Sequence, residues 1–110
     1  MKVNELAALE GFSVIAMPEG DREIDHVYIG DLLSWVMGRA KQNDAWITIM
    51  SNINIIAVAS LADVSCIILA EGVKLDRAIA ETAGAKGVNI LSFSKTAYDA
   101  ATLLYEKLWV

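Results

Sequence analysis

The sequence predicts a single α/β domain with a mainly parallel central sheet, βαβ crossovers and helices on both faces. Short apolar runs alternate with longer segments of helical periodicity, and a helix between consecutive strands is the connection that parallel pairing requires. The run Cys66–Leu69 is apolar without interruption, which is typical of a strand buried on both faces of a sheet. The 110 residues fit one domain, 1–110, and leave no room for a second.

The first half of the chain predicts a short helix, two strands and a second helix. Positions 3–10 form the first helix, and Gly11 ends it because a residue without Cβ suits the left-handed position after a helix. Strands are predicted at 12–16 and 26–29. Asp31 is the predicted N-cap of the next helix. The apolar stripe of that helix consists of Leu32, Leu33, Val36, Met37 and Ala40.

The second half alternates strand and helix. Strands are predicted at 46–50, 66–69 and 88–91, and helices from Asn52 or Asn54 to 62, from 75 to Gly84 or Gly87, and from about 96 to 108. Because a connection between parallel strands is right-handed in nearly all proteins, these helices cover the sheet. The stretch Ile47–Ala70 is mostly apolar over 24 residues. Its change of periodicity and its Asp63 predict strand, helix and strand, and no membrane span.

The charge and the single cysteine indicate which partners and which location to expect for this chain. The net charge is −5, and most of the nine basic residues stand singly, so no basic cluster for nucleic acid is expected. The single cysteine, Cys66, lies in an apolar run and is predicted to be buried, without a disulfide. Glu5 and Glu10 interrupt any apolar signal segment. A cytoplasmic location is therefore expected.

Recognisable catalytic chemistry is absent from the sequence. His26 is the only histidine, and its neighbour Asp25 would point to the opposite face of a strand. No Gly-x4-Gly-Lys-Ser/Thr loop occurs, and Gly84–Gly87 lies after a helix, where it ends that helix. With no paired cysteines and no second histidine, we expect no metal site, no cofactor and no enzyme activity.

Several segments resemble the short stand-alone proteins that carry a DRTGG-type domain. These segments are Val27–Met37, Asn54–Ala59, Ile67–Gly72 and Gly87–Ser92, so the resemblance covers roughly Asp21 to the C-terminus. Relatives of this domain are fused to enzymes such as family II pyrophosphatases with CBS domains, or occur as separate small proteins. Some of those are labelled serine kinases because they are similar to the N-terminal, non-catalytic domain of HPr kinase. The resemblance implies an α/β fold with a regulatory role.

The family signature is only partly present. The family has an Asp-Arg pair after one strand and Thr-Gly-Gly after the next, and these positions fall here on Ser51-Asn52 and Ala70-Glu71-Gly72. Only the last glycine matches. Gly20-Asp21-Arg22 precedes a different strand and does not replace the pair.

A ligand site is predicted at the carboxyl edge of the sheet. In open parallel α/β sheets ligands bind beyond the carboxyl ends of the strands. The residues expected there are Asp31, Ser51, Asn52, Asn54, Glu71, Gly72, Ser92 and Ser94. The alternative is that Asp31 and an asparagine are helix caps, Gly72 is a turn and the serines are loop residues.

The predicted interface lies on the second helix. Trp35 falls off the apolar stripe and shares a helix face with Arg39, so both residues, with Leu33 and Met37, form a candidate homodimer surface. Two hypotheses remain open. The chain is a homodimeric regulatory domain that senses a nucleotide or other small metabolite, or it is a protein interaction module that uses the Trp35 helix without a small ligand.

Overall fold

The computed structural model describes residues 1–109. The elements in chain order are α1 (Val3–Ala7), β1 (Phe12–Ala16), β2 (His26–Ile29), α2 (Leu33–Arg39), β3 (Asp44–Thr48), α3 (Asn54–Ala62), β4 (Cys66–Leu69), α4 (Arg77–Ala85), β5 (Ile90–Phe93) and α5 (Ala97–Trp109). Over these residues the five strands form one sheet in the order β1-β5-β4-β3-β2. Strands β2 to β5 are parallel, and β1 is antiparallel to β5. The predicted fold class is confirmed.

Helices cover both faces of the sheet. Because side chains alternate along a strand, Ala45 and Ile47 of β3 pack on the face that α1 and α5 cover. Trp46 of the same strand packs on the other face, under α2, α3 and α4. Every residue of β3 and β4 is buried, so these two strands form the centre of the core.

Strand β3 lies two residues earlier than the sequence predicts. The N–H of Ser65 donates to the carbonyl oxygen of Asp44 at 2.8 Å, so pairing already begins at Asp44. The N–H of Met50 donates to Oγ1 of Thr48 at 3.1 Å, and the chain turns there. These hydrogen bonds involve partners that a hydropathy pattern does not reveal.

Strand β5 lies two residues later than the predicted 88–91. Gly87 has a φ of +75°, a left-handed conformation that ends α4 and delays the strand. At the other end, Phe93 pairs with Phe12 of the antiparallel β1, and this partner extends the strand. Helix α1 ends at Ala7, before the predicted position 10, because a turn precedes Gly11.

Side-chain hydrogen bonds fix the segment 17–25 along the amino edge of the sheet. Arg22 donates to Oδ1 of Asp63 at 2.9 Å and to Oδ1 of Asn43 at 2.8 Å. Asn89 is buried and pairs with both backbone groups of Glu19, at 2.9 and 2.8 Å. The amino edge is therefore covered by the protein's own chain.

The apolar stretch Ile47–Ala70 divides into the end of β3, helix α3 and strand β4, as predicted. Among residues 1–109, no helix has the length and apolar character needed to cross a membrane. Cys66 is buried, as expected, and burial raises the pKa of its thiol to about 12.

Candidate functional site

Parallel pairing brings four strand ends to one edge. Ile29 of β2 pairs with Ile47 of β3, and Thr48 of β3 with Leu69 of β4. Leu69 in turn pairs with Ser92 of β5. The loops that follow these strands carry the predicted site residues, so the structure places those residues along the same edge.

Asp31 holds the start of the β2–α2 connection against the end of β3. Its Oδ1 accepts hydrogen bonds from the hydroxyl of Thr48 at 2.8 Å and from the N–H of Ile49 at 3.0 Å. The expectation that Asp31 is an N-cap is wrong, because Leu32 occupies that position and α2 begins one residue later. The cross-strand bonds are available to Asp31 only because β2 and β3 are neighbours. Asp31 therefore positions the edge, and its exposed side chain retains a second carboxylate oxygen.

The loop before α3 presents small polar side chains. Ser51, Asn52 and Asn54 are exposed. Oδ1 of Asn52 accepts a hydrogen bond from the N–H of Asn54 at 2.9 Å, so Asn52 supports the helix start, which has Ile53 at its N-cap position. The side-chain amide of Asn52 has two N–H groups that can donate to a ligand.

The loop after β4 has an unusual backbone. Glu71 and Gly72 have φ angles of +64° and +66°, both in the left-handed region. Their N–H groups donate to the carbonyl oxygens of Lys95 at 2.7 Å and Phe93 at 2.9 Å. These donors tie the loop to the end of β5 and are not free to bind an anion. The exposed carboxylate of Glu71 is what this loop offers to a ligand.

The two serines lie toward the other side of the edge. Ser92 is half-buried within β5, where it pairs with Ser13 of β1. Ser94 is exposed, and its N–H donates to the carbonyl oxygen of Gly11 at 3.0 Å. The predicted residues thus form a row along the sheet edge, from Asp31 beside β2 to Ser94 beside β1.

Two cavities lie away from the centre of this row. One, of about 490 Å³, lies between α3 and α4 and is bordered by Ile53, Ala57 and Lys86. The other, of about 470 Å³, lies between the end of β1 and α4. In residues 1–109, no three His, Cys, Asp or Glu side chains are grouped so that they could hold a metal ion.

The four candidate interface residues on α2 differ in exposure. Trp35 is 52% exposed, and the guanidinium carbon of Arg39 lies 3.6 Å from the centre of its ring. Met37 is exposed, whereas Leu33 packs against the core. The predicted inward stripe is therefore wrong at Leu32 and Met37. Helix α2 begins at Leu33, and the residues that pack inward are Leu33, Val36 and the C-cap residue Ala40.

The lone histidine contacts aromatic side chains. His26 is exposed at the start of the edge strand β2, and its ring centre lies 6.0 Å from that of Trp109. Tyr105 lies 5.7 Å from Trp109. Asp25 instead accepts a hydrogen bond from the amide of Asn43, at 3.1 Å, so these neighbours do not form an acid–base pair.

The exposed apolar residues on the outer face of α3 were not predicted from the sequence. Ile53 and Leu61 are exposed there, on either side of the exposed Ala57. A signal was present in the sequence: the residues of α3, Asn54–Ala62, include none that is charged. A surface helix normally has charged residues on its solvent side.

Comparison with known proteins gives the family. The model of the DRTGG domain matches residues 6–106. The solved CBS and DRTGG domains from the regulatory region of the Clostridium perfringens pyrophosphatase, in complex with the activator diadenosine tetraphosphate, are similar with a TM-score of 0.66 and 16% identity. That alignment covers 84% of this chain and 41% of the solved chain. No curated protein matches. Since the match spans nearly its whole length, the chain belongs to the DRTGG domain family.

Proposed function

We propose that this chain is a non-catalytic, homodimeric regulatory domain of the cytoplasm that senses a small ligand, such as a nucleotide or another metabolite, at the carboxyl edge of its sheet. The observation that carries the proposal is the convergence of four parallel strand ends at that edge, where exposed polar side chains follow buried strands. The similar solved chain is a regulatory region in complex with a nucleotide activator, which supports a role of this kind.

The chemistry of the edge indicates which ligand groups would bind there. Asp31 and Glu71 have exposed carboxylates, which accept hydrogen bonds from hydroxyl and amino groups. Asn52, in the loop after β3, between the loops that contain Asp31 and Glu71, provides amide donors. Lys95 is exposed next to the loop that contains Glu71, and its carbonyl oxygen accepts the Glu71 N–H. A ligand with sugar hydroxyls or a nucleobase, and at most a small phosphate charge, matches this set better than a polyanion does.

A thermal-shift screen with nucleosides, nucleotides and small metabolites tests the proposal. A ligand present at 100 times its dissociation constant adds about 2.7 kcal/mol to the free energy of unfolding. The shift should shrink in Asn52→Ala and Glu71→Ala, and it should persist in Glu106→Ala, an exposed carboxylate on α5. Absence of any shift across the screen, or an equal shift in all three variants, would refute a site at this edge.

A second candidate function is a protein interaction module without a small ligand. The half-exposed Trp35, stacked on Arg39, favours it, because tryptophan and arginine are enriched among residues that dominate binding. Trp35→Ala should then abolish partner capture in a pull-down with little change in melting temperature. Tyr98→Ala is the matched control, since Tyr98 is an exposed aromatic on α5. A collapse of the melting temperature in Trp35→Ala would show that Trp35 instead stabilises the fold.

A further inference from the structure

Helix α3 has no charged residue, and its outer face exposes two large apolar side chains. Its inner residues Ile55, Ile56, Val58 and Ala59 are buried in the core. On the outer face, Ile53 is 48% exposed and Leu61 is 73% exposed. Asn54, Ala57 and Ser60 complete this outer face and are also exposed. A surface helix normally carries charged residues on its solvent side, so an outer face with two exposed large apolar side chains and no charge is a candidate contact surface.

The last two helices, α4 and α5, differ from α3 in charge. The solvent sides of α4 and α5 carry charged residues, which include Arg77, Glu81, Asp99 and Glu106. These faces are typical of helices that remain in water. Helix α5 also exposes Tyr98, Tyr105 and Trp109, so the feature that distinguishes α3 from α4 and α5 is its lack of charged residues.

The outer face of α3 is complementary to itself in the antiparallel direction. If two copies of α3 pack in opposite directions with Ala57 facing Ala57, Ile53 of one copy lies level with Leu61 of the other. Asn54 then lies level with Ser60, so apolar groups meet apolar groups and polar groups meet polar groups. The small side chain of Ala57 at the centre allows the two backbones to approach closely. Each contact occurs twice, as an isologous interface requires.

We infer that a second copy of this chain docks on the outer face of α3, with the two α3 helices antiparallel about a two-fold axis at Ala57. The inference rests on the homodimer of the proposed function and adds the surface and the geometry. The axis lies in the plane of the interface and perpendicular to α3. This symmetry places the α2 helices of both copies on the same side of the α3–α3 contact.

The interface area that a stable dimer needs, and the charges at the contact, bear on this arrangement. Helix α3 has nine residues and is too short to bury by itself the roughly 800 Å² per partner of a standard stable interface. Helix α2 packs beside α3, and the exposed Trp35 and Met37 of α2, with its N-cap residue Leu32, would supply the additional area. Each copy has a net charge of −5, and α3 itself brings no acidic residue to the contact, where the flanking charge is Lys86 at the end of α4.

Cross-linking tests the geometry directly. A disulfide requires Cα atoms about 4.4 to 6.8 Å apart, and Ala57 lies on the proposed axis, so Ala57→Cys should form a covalent dimer under mild oxidation. Ala85→Cys, at an exposed alanine on α4, is the control and pairs only by collision. We expect Ala57→Cys to cross-link about tenfold faster or more, because the dimer holds its thiols at a high effective concentration. Equal rates would overturn the inference. The native Cys66 is buried and does not compete.

Light scattering after size exclusion tests the dimer itself. The wild type should have twice the mass of one chain, and Leu61→Asp should have the mass of one chain. Tyr98→Asp changes a side chain of similar exposure, 75%, on α5, and it should remain dimeric. A monomeric wild type, or a dimeric Leu61→Asp, would overturn the inference. The ligand screen does not depend on this result, because Leu61→Asp leaves the carboxyl edge intact.

Discussion

The loop after β4 allows a paired test of backbone strain. Glu71 and Gly72 have nearly the same left-handed φ, +64° and +66°. A side chain in this conformation raises the free energy of the folded chain by about 1 to 2 kcal/mol, and Glu71 bears that cost whereas Gly72 does not. Among the residues that the structure describes, a Cβ added to Gly72 would have no atom within 4 Å. Steric contact therefore plays no part in the comparison.

Glu71→Gly should stabilise the chain, and Gly72→Ala should destabilise it. Glycine also loses more backbone entropy on folding, at a free-energy cost of about 0.4 to 1 kcal/mol. This cost offsets part of the stability that Glu71→Gly gains by removing the left-handed strain. The expected net change is about 0.5 to 1 kcal/mol for each variant, with opposite signs. For a chain of this length, about 1 kcal/mol corresponds to a shift of about 4 °C in melting temperature.

Urea denaturation gives the free energies, and Glu71→Ala is the control for loss of the side chain. Because alanine keeps the left-handed strain, Glu71→Ala should change the stability by less than about 0.5 kcal/mol. The reasoning fails if Glu71→Gly is less stable than Glu71→Ala, or if Gly72→Ala melts like the wild type. Such a result would mean that this loop does not hold a left-handed backbone at both positions.

Three further predictions concern single contacts. Asp31→Ala removes the acceptor for Thr48 and Ile49 and should cost about 1 to 2 kcal/mol in urea melts. In the double variant Asp31→Ala with Thr48→Val, the free energy of unfolding should fall by less than the sum of the two single losses. Asn89→Ala leaves both backbone groups of Glu19 without their partner and should cost about 2 to 3 kcal/mol, with faster amide exchange in segment 17–25. Because burial raises the pKa of Cys66 from 9.0 to about 12, the unfolded thiol loses its proton first. The free energy of unfolding of the wild type, relative to that of Cys66→Ala, should therefore fall above pH 9 by about 1.4 kcal/mol per pH unit.

The centre of the sheet could be predicted from the sequence because it is buried on both faces. The uninterrupted run Cys66–Leu69 coincides with β4. The ends of β3 and β5 could not be predicted, because they depend on partners elsewhere in the chain. Thr48 ends β3 through its own hydroxyl, and Phe93 extends β5 because the antiparallel Phe12 lies beside it.

The positions of the candidate site residues along the sheet edge could be predicted from the sequence, but their hydrogen bonds could not. The rule that parallel strands share a carboxyl edge placed Asn52, Glu71 and Ser94 correctly along it. The partners of Asp31 lie 17 and 18 residues away in the sequence, so local pattern favoured a helix cap. On α2, Leu32 lies outside the helix as its N-cap residue, and Met37 lies at the border of the inward face, where it is 48% exposed.

Helix α3 connects the two proposals physically. Its N-terminal end follows Asn52 at the carboxyl edge, and its outer face forms the proposed dimer contact. A ligand that moves or orders this helix start therefore changes the dimer contact, and thermodynamic linkage requires that dimerisation changes the affinity for the ligand in return. If the ligand binds each of two sites in the dimer about tenfold tighter, it strengthens dimerisation about a hundredfold.

Two measurements with any ligand found by the screen test this coupling. Calorimetry should give different affinities for the wild type and for the monomeric Leu61→Asp, whereas Tyr98→Asp should match the wild type. Sedimentation with and without ligand should give a change in dimer dissociation of the corresponding size. Equal affinities with an unchanged dissociation constant would show that the edge and the α3 face act separately. Because antiparallel α3 helices place the two carboxyl edges at opposite ends of the dimer, any coupling that is found must pass through the helices and not through contact between ligands.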